Sequence, residues 1–213
     1  MRLCSWNVRS LRDDARGVAR VLRALDADVV CLQEAPRLLL WRTSRLLLAR
    51  RAGLTRGTRG QAHGLAVLAG RRTVVRSSYD LGLPHRPGLH RRGLAAAHLE
   101  VGGRPIAVVT THLDLEPSAR LDSARRVRSA LPTGPVVLTG DVNEEPGGPA
   151  WAALGAGLTD ARHGLGPTFP ASAPERRLDG VWVSPGLAVV RAEVVVAAGV
   201  ASDHLPLLVE LDW

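Results

Sequence analysis

The sequence predicts an α/β chain in which two mainly antiparallel β-sheets pack face to face and carry helices on their outer sides, a four-layer sandwich. Three observations lead there. Apolar, β-branched runs recur along the whole chain, at residues 2–8, 28–32, 65–68, 74–78, 94–101, 105–111, 136–139, 178–184, 188–197 and 205–211, and such runs read as strands. Helical spacing shows in only a few segments between them, the pattern of sheets covered by helices. At 213 residues, with no linker-like stretch and no internal repeat, residues 1–213 fit one domain.

Taken in order, the first strand ends in Trp6-Asn7-Val8, and Asp13 and Asp14 then open a helix whose Val18, Val21, Leu22 and Leu25 share one face. Residues 28–32 form a buried strand that delivers Gln33-Glu34 ahead of Pro36. Residues 36–52, rich in Leu and Arg, are predicted as a helix that sends Leu39, Trp41 and Leu46 to Leu48 into the core. Loops are expected at 53–64 and 79–93, and Gly102-Gly103 is a hairpin signal between two strands. Ser118 is the candidate N-cap of an amphipathic helix over 118–131, with Pro132 just beyond it. The strand at 136–139 feeds Gly140-Asp141-Val142-Asn143, a short helix follows at 149–154, and 155–177 is mostly loop.

A hydrophobic fraction of 46% with 23% charged residues excludes a disordered chain. No apolar stretch is long enough to cross a bilayer and no charged-then-apolar leader opens the chain, so a cytoplasmic monomer with no membrane span is expected. Cys4 and Cys31 lie in apolar runs without a Cys-x-x-Cys neighbour and read as small buried residues in a reducing compartment. The net charge of +8 suits a polyanionic partner, nucleic acid or a phosphorylated small molecule. Every basic residue is Arg and none is Lys, however, a coding bias that places Arg on any surface.

Several strand-like runs end in residues able to bind a metal or a phosphate: Asn7, Glu34, His112, Asp141 with Asn143, Asp179, and Asp203 with His204. Singly, each has a structural reading as a turn former, a helix cap or a solvated strand end. Together they match what phosphoester hydrolysis requires: a hard cation, a base for water, and donors for the phosphoryl oxygens. Oxygen ligands suit a magnesium-like ion, and no zinc-type Cys and His cluster is present.

The segments Ser5-Trp6-Asn7-Val8, Leu32-Gln33-Glu34, Thr111-His112-Leu113, Thr139-Gly140-Asp141-Val142-Asn143, Arg177-Leu178-Asp179 and Ser202-Asp203-His204-Leu205-Pro206 occur in one order across nearly the whole chain. In this the sequence resembles the endonuclease/exonuclease/phosphatase superfamily. The resemblance implies a deoxyribonuclease I-like fold and a site in which Glu34 is the principal ligand of Mg2+ or Mn2+, with Asn7 and Asp203 beside it. It further implies that Asp141 orients or deprotonates water, that Asn143 and His112 hold phosphate oxygens, and that His204, paired with Asp179, stabilises developing charge. An Asp that raises the pKa of His204 makes that histidine a poor base, which favours Asp141 as the base and leaves His204 as the alternative.

Many relatives place an acidic or tyrosine side chain beside the phosphate or its histidine, and Tyr79 and Glu100 are the nearest options here. His63, His85, His90, His98 and His163 match no motif and read as surface or structural residues. Arg56, Arg59, Arg86, Arg91, Arg92, Arg176 and Arg177 are expected in loops around the pocket, with Arg92 and Arg177 as substrate-binding residues. The expected activity is metal-dependent phosphoester hydrolysis, leaning to phosphodiesters of DNA or RNA because Arg-rich loops suit a phosphate backbone. A phosphatase or phosphodiesterase for a small or lipid-derived phosphate, and an inactive polyanion-binding module, are the alternatives.

Overall fold

In the computed structural model, which describes residues 1–58, 60, 62–161 and 165–212, the strands gather into two six-stranded sheets. The first runs β11 (Ala188–Val194), β12 (Leu207–Asp212), β1 (Arg2–Asn7), β2 (Val29–Gln33), β4 (Ala66–Ala69) and β3 (Thr55–Arg56). The second runs β5 (Thr73–Gly82), β6 (Gly93–Val101), β7 (Arg104–His112), β8 (Val136–Asp141), β10 (Asp179–Val183) and β9 (Thr159–Asp160). Only β1 with β2 and β7 with β8 pair in parallel, and the other pairs are antiparallel.

Alternation along the central strands explains the layering. Leu3, Val29 and Cys31 face the second sheet and meet Ala97, Leu99, Val108, Val137 and Val181 there. Their neighbours Cys4, Trp6, Val30 and Leu32 face outward onto α1 (Ala15–Leu25) and α2 (Trp41–Ala52). Val109, Leu138 and Trp182 face outward from the second sheet onto α3 (Pro117–Ser129) and α4 (Pro149–Gly155). Because both faces of these strands are buried, they read in the sequence as unbroken apolar runs.

The local signals were honoured unevenly. Asp14 caps α1 by accepting from the Gly17 amide, and Gly102 and Gly103 take positive φ of 59° and 81° in the hairpin turn. At α3 the cap is Glu116 rather than Ser118. Its carboxylate accepts from the amides of Ser118 and Ala119, and Pro117, which has no N–H to satisfy, takes the first helical position. β5 extends through residues expected as loop because β6 pairs with it as far as Gly82 with Gly93. Cys4 and Cys31 are free thiols packed on opposite faces of the first sheet.

The largest departure is at 36–52. The helix begins only at Trp41, and Leu38, Leu39 and Leu40 are 74%, 93% and 70% exposed. Of the residues expected in the core there, Leu48 is buried, whereas Leu39 and Leu47 are exposed and Trp41 is half-buried. Successive helical residues point about 100° apart, so no single face can bury three consecutive leucines. The chain instead turns at Leu40, whose φ is 60°.

Candidate functional site

The two parallel pairs place the chemistry. Since β1 and β2 run together, Asn7 ends level with Gln33, one residue before Glu34. In the second sheet His112 ends opposite Asp141, and Asp179 begins β10 opposite the same Asp141. Glu34 and Asn143, each just past a strand end, take left-handed φ of 49° and 55°, a conformation costly for residues with a Cβ that recurs at functional sites. The turn carrying Asp203 and His204 is held to the end of β1: Ser202 Oγ donates to the Asn7 carbonyl at 2.8 Å and Trp6 Nε1 to the His204 carbonyl at 2.7 Å.

These ends open into a cavity of about 840 Å3 lined by Glu34, Arg92, His112, Asp141, Asn143, Asp203 and His204. Asn7 and Asp179 stand behind it. Asn7 Nδ2 donates to Asp141 at 2.8 Å and approaches Glu34 Oε1 at 3.4 Å, while its Oδ1 accepts from the Arg9 amide. In this arrangement Asn7 bridges the two carboxylates through its amide nitrogen while its oxygen accepts from the Arg9 amide. Asp203 is paired with Arg9 at 3.2 Å.

Asp141 is the hub. It accepts from Asn7 and from the Asn143 amide at 3.0 Å, and faces His112 Nε2 at 3.4 Å and His204 Nε2 at 3.7 Å. The two histidines carry different charge. Burial pushes His112 down to about 3, against the pull of Asp141, so it is neutral at ordinary pH. Burial also opposes the charged form of His204, but Asp179, bonded to Nδ1 at 2.8 Å, together with Asp141 and Asp203, raises it to about 10. Asn143 Nδ2 donates to the Leu113 carbonyl and meets His112 Nε2 at 3.0 Å, tying the imidazole to the hub.

Glycine at 140 makes the register possible. A Cβ there would stand 2.8 Å from both the Thr111 carbonyl oxygen and its Cγ2, one residue before the His112 and Asp141 pair. Gly140→Ala is therefore expected to cost about 1–3 kcal/mol and to move Asp141 against His112. Thermal unfolding and turnover of a generic phosphoester check both, and an alanine variant as stable and active as the parent would refute the crowding.

Not every expected residue reaches the cavity. Arg177 is drawn off by Asp160 at 2.7 Å and stacks on Trp151, so it does not line the cavity. Arg86 is paired with Glu116 and Asp122, and Arg176 with Glu145. Tyr79 donates to the Ala130 carbonyl and Glu100 pairs with Arg76, both away from the cavity. Arg59 and His163 lie outside the described residues.

Other groups carried no recognisable motif. Arg92 is held by the buried Asp114, 3.5 Å away. His63 and His90 line the cavity, and Phe169 packs on His204 with ring centroids 4.9 Å apart. Thr168 donates its hydroxyl to Asp179 at 2.6 Å. The position of His63-Gly64 immediately before a buried strand was the one available signal among these.

The model of the Endonuclease/Exonuclease/phosphatase family matches residues 4–204. The chain belongs to this family. No curated protein matches it by sequence. Among solved structures, it is similar to a mannosyl-6-phosphatase of Bacteroides thetaiotaomicron, at TM-score 0.82 and 19% identity over 100% of both chains. It is also similar to a humanized TDP2 of D. rerio, at TM-score 0.75 and 21% identity over 100% of this chain and 99% of that one. A third is the human Nocturnin catalytic domain with bound sulfate, at TM-score 0.73 and 19% identity over 100% and 94%. At these identities the likeness establishes the deoxyribonuclease I-like fold, and members of the family hydrolyse phosphoester bonds.

Proposed function

We propose that the chain is a divalent-metal-dependent phosphoesterase acting on an ester of a small or lipid-derived organic group. The observation that carries the chemistry is Asp141 set between a neutral and a cationic histidine, since an environment that drives like groups to opposite charge states marks a division of acid and base roles. In this reading Asp141 accepts the proton of the attacking water. The water oxygen bonds to phosphorus as the ester bond breaks. The His204 cation, held by Asp179, stabilises charge on the phosphoryl oxygens. Arg92 supplies a further donor for the ester, and Asn143 and His112, bonded to each other, hold Asp141 in position.

The donor set fits a hard cation. Glu34 and Asp141 share one neutral amide between two carboxylates, and Glu34 forms no ion pair with any described residue, which suits its carboxylate to a hard cation that prefers oxygen ligands. Glu34 and Asp203 would hold Mg2+ or Mn2+ with Asp141 facing it, and the ion would neutralise phosphoryl oxygens. Asp141, Asp179 and His204 also bring ligand atoms within 4.8 Å of one another. There, however, each ring nitrogen of His204 addresses a different carboxylate, which is the geometry of a hydrogen-bonded relay more than of a cage.

A nucleic-acid backbone is the less favoured substrate because Arg86, Arg176 and Arg177 are engaged by carboxylates. Turnover of p-nitrophenyl phosphate or bis(p-nitrophenyl) phosphate with Mg2+ or Mn2+, lost on chelation and restored by added metal, is the expected result. Single-stranded, duplex and abasic-site DNA are the competing substrates. Absence of turnover with any divalent ion would refute the enzyme, and preferential cleavage of DNA would refute the substrate class.

A further inference from the structure

Three exposed leucines lie at the mouth of the cavity: Leu38 and Leu39 line it, and Leu40 follows them. Leu115, on the same cavity, is 70% exposed. Folding does not account for these residues. Leu40 occupies the N-cap of α2 with no side-chain cap bond and with φ of 60°, where Asn would both cap the helix and tolerate the left-handed backbone. A leucine at that position is unfavourable on both counts.

What surrounds the leucines points to their partner. Trp41 comes next in the chain, its ring flanked by the exposed Arg42 guanidinium at 4.8 Å and by that of Arg45, which is buried and bonded to the Pro36 and Leu65 carbonyls, at 4.9 Å. Arg12 and Arg51, both exposed, line the same cavity. No Asp or Glu occurs between Glu34 and Asp80. An apolar tip, a half-buried indole and the exposed arginines Arg12, Arg42 and Arg51 are the composition of a segment that settles at an anionic lipid interface. A protein partner would instead call for a broad patch of about 800 Å2. No described helix is long and apolar enough to cross a membrane.

We propose that the loop at residues 38–40 docks the chain on an anionic lipid surface, leucines in the acyl boundary and arginines at the headgroups, with the cavity mouth turned to the bilayer. That the docked chain meets a lipid-borne phosphoester rests on the proposed function; the docking itself does not.

The test is flotation of the whole chain with vesicles of phosphatidylcholine alone or with phosphatidylglycerol, with neither substrate nor added metal. Binding is expected to anionic vesicles and to be about tenfold or more weaker to neutral ones. Leu39→Ser with Leu40→Asn should weaken anionic binding by a further tenfold or so, without lowering the melting temperature. Should that variant not fold, brominated lipid is expected to quench tryptophan fluorescence of the unsubstituted chain and to lose that quenching in Trp41→Phe. No flotation, equal binding to neutral vesicles, an unaffected double variant, or quenching unchanged in Trp41→Phe would each overturn the proposal. Because no turnover is measured, persistent flotation in a chain that hydrolyses nothing would leave docking standing and remove only the proposed function.

Discussion

Asp141→Asn is expected to lower kcat on a generic phosphodiester by about three orders of magnitude while the protein still folds. The side chain accepts from Asn7 and from the Asn143 amide and faces both histidines, so it is simultaneously the hub of the site and its proposed base. An asparagine can still accept from the Asn143 amide through its oxygen. Its amide nitrogen then faces the Asn7 amide and the His204 cation, donor against donor, and cannot take a proton from water. KM should move far less than kcat, because the loss falls on the transition state. The measurement is steady-state kinetics beside a thermal melt. A variant within tenfold of the parent kcat, with the fold unchanged, would remove Asp141 from the base role.

The second large effect concerns the pair behind it. Asp179→Asn is expected to reduce kcat by about a hundredfold or more, since the buried carboxylate holds His204 Nδ1 and offsets the burial that opposes the imidazolium. Adding His204→Ala to that variant should cost little more, because the two residues act as one unit. Thr168→Val removes only the hydroxyl that Asp179 accepts and separates a packing effect from a charge effect. It should be markedly milder than Asp179→Asn. Multiplicative losses from Asp179 and His204 would show that they work independently, contrary to the geometry.

The sandwich was legible because its signals are local. Unbroken apolar runs such as residues 28–32 announce strands buried on both sides, and Gly102-Gly103 announces a hairpin at any distance from the rest of the chain. The order of the motifs was legible for the same reason, each being a few residues at a strand end. Consecutive leucines before Trp41 misled, because an apolar run does not say whether it meets a core or a surface. Arg92 and Arg177 looked alike as loop arginines, yet Asp114 holds one at the cavity and Asp160 draws the other away.

Residue order alone therefore established which chemical groups are present, where strands deliver them and which family they match, since strand propensity and motif spacing are properties of neighbouring residues. Packing decided the rest. Asn7 meets Asp141 across 134 residues of chain, and His204 lies beside Asp179, 25 residues away. Desolvation and Coulomb forces depend on distances through space, so only the folded chain could render His112 neutral and His204 cationic, and leave the leucines at residues 38–40 in the open.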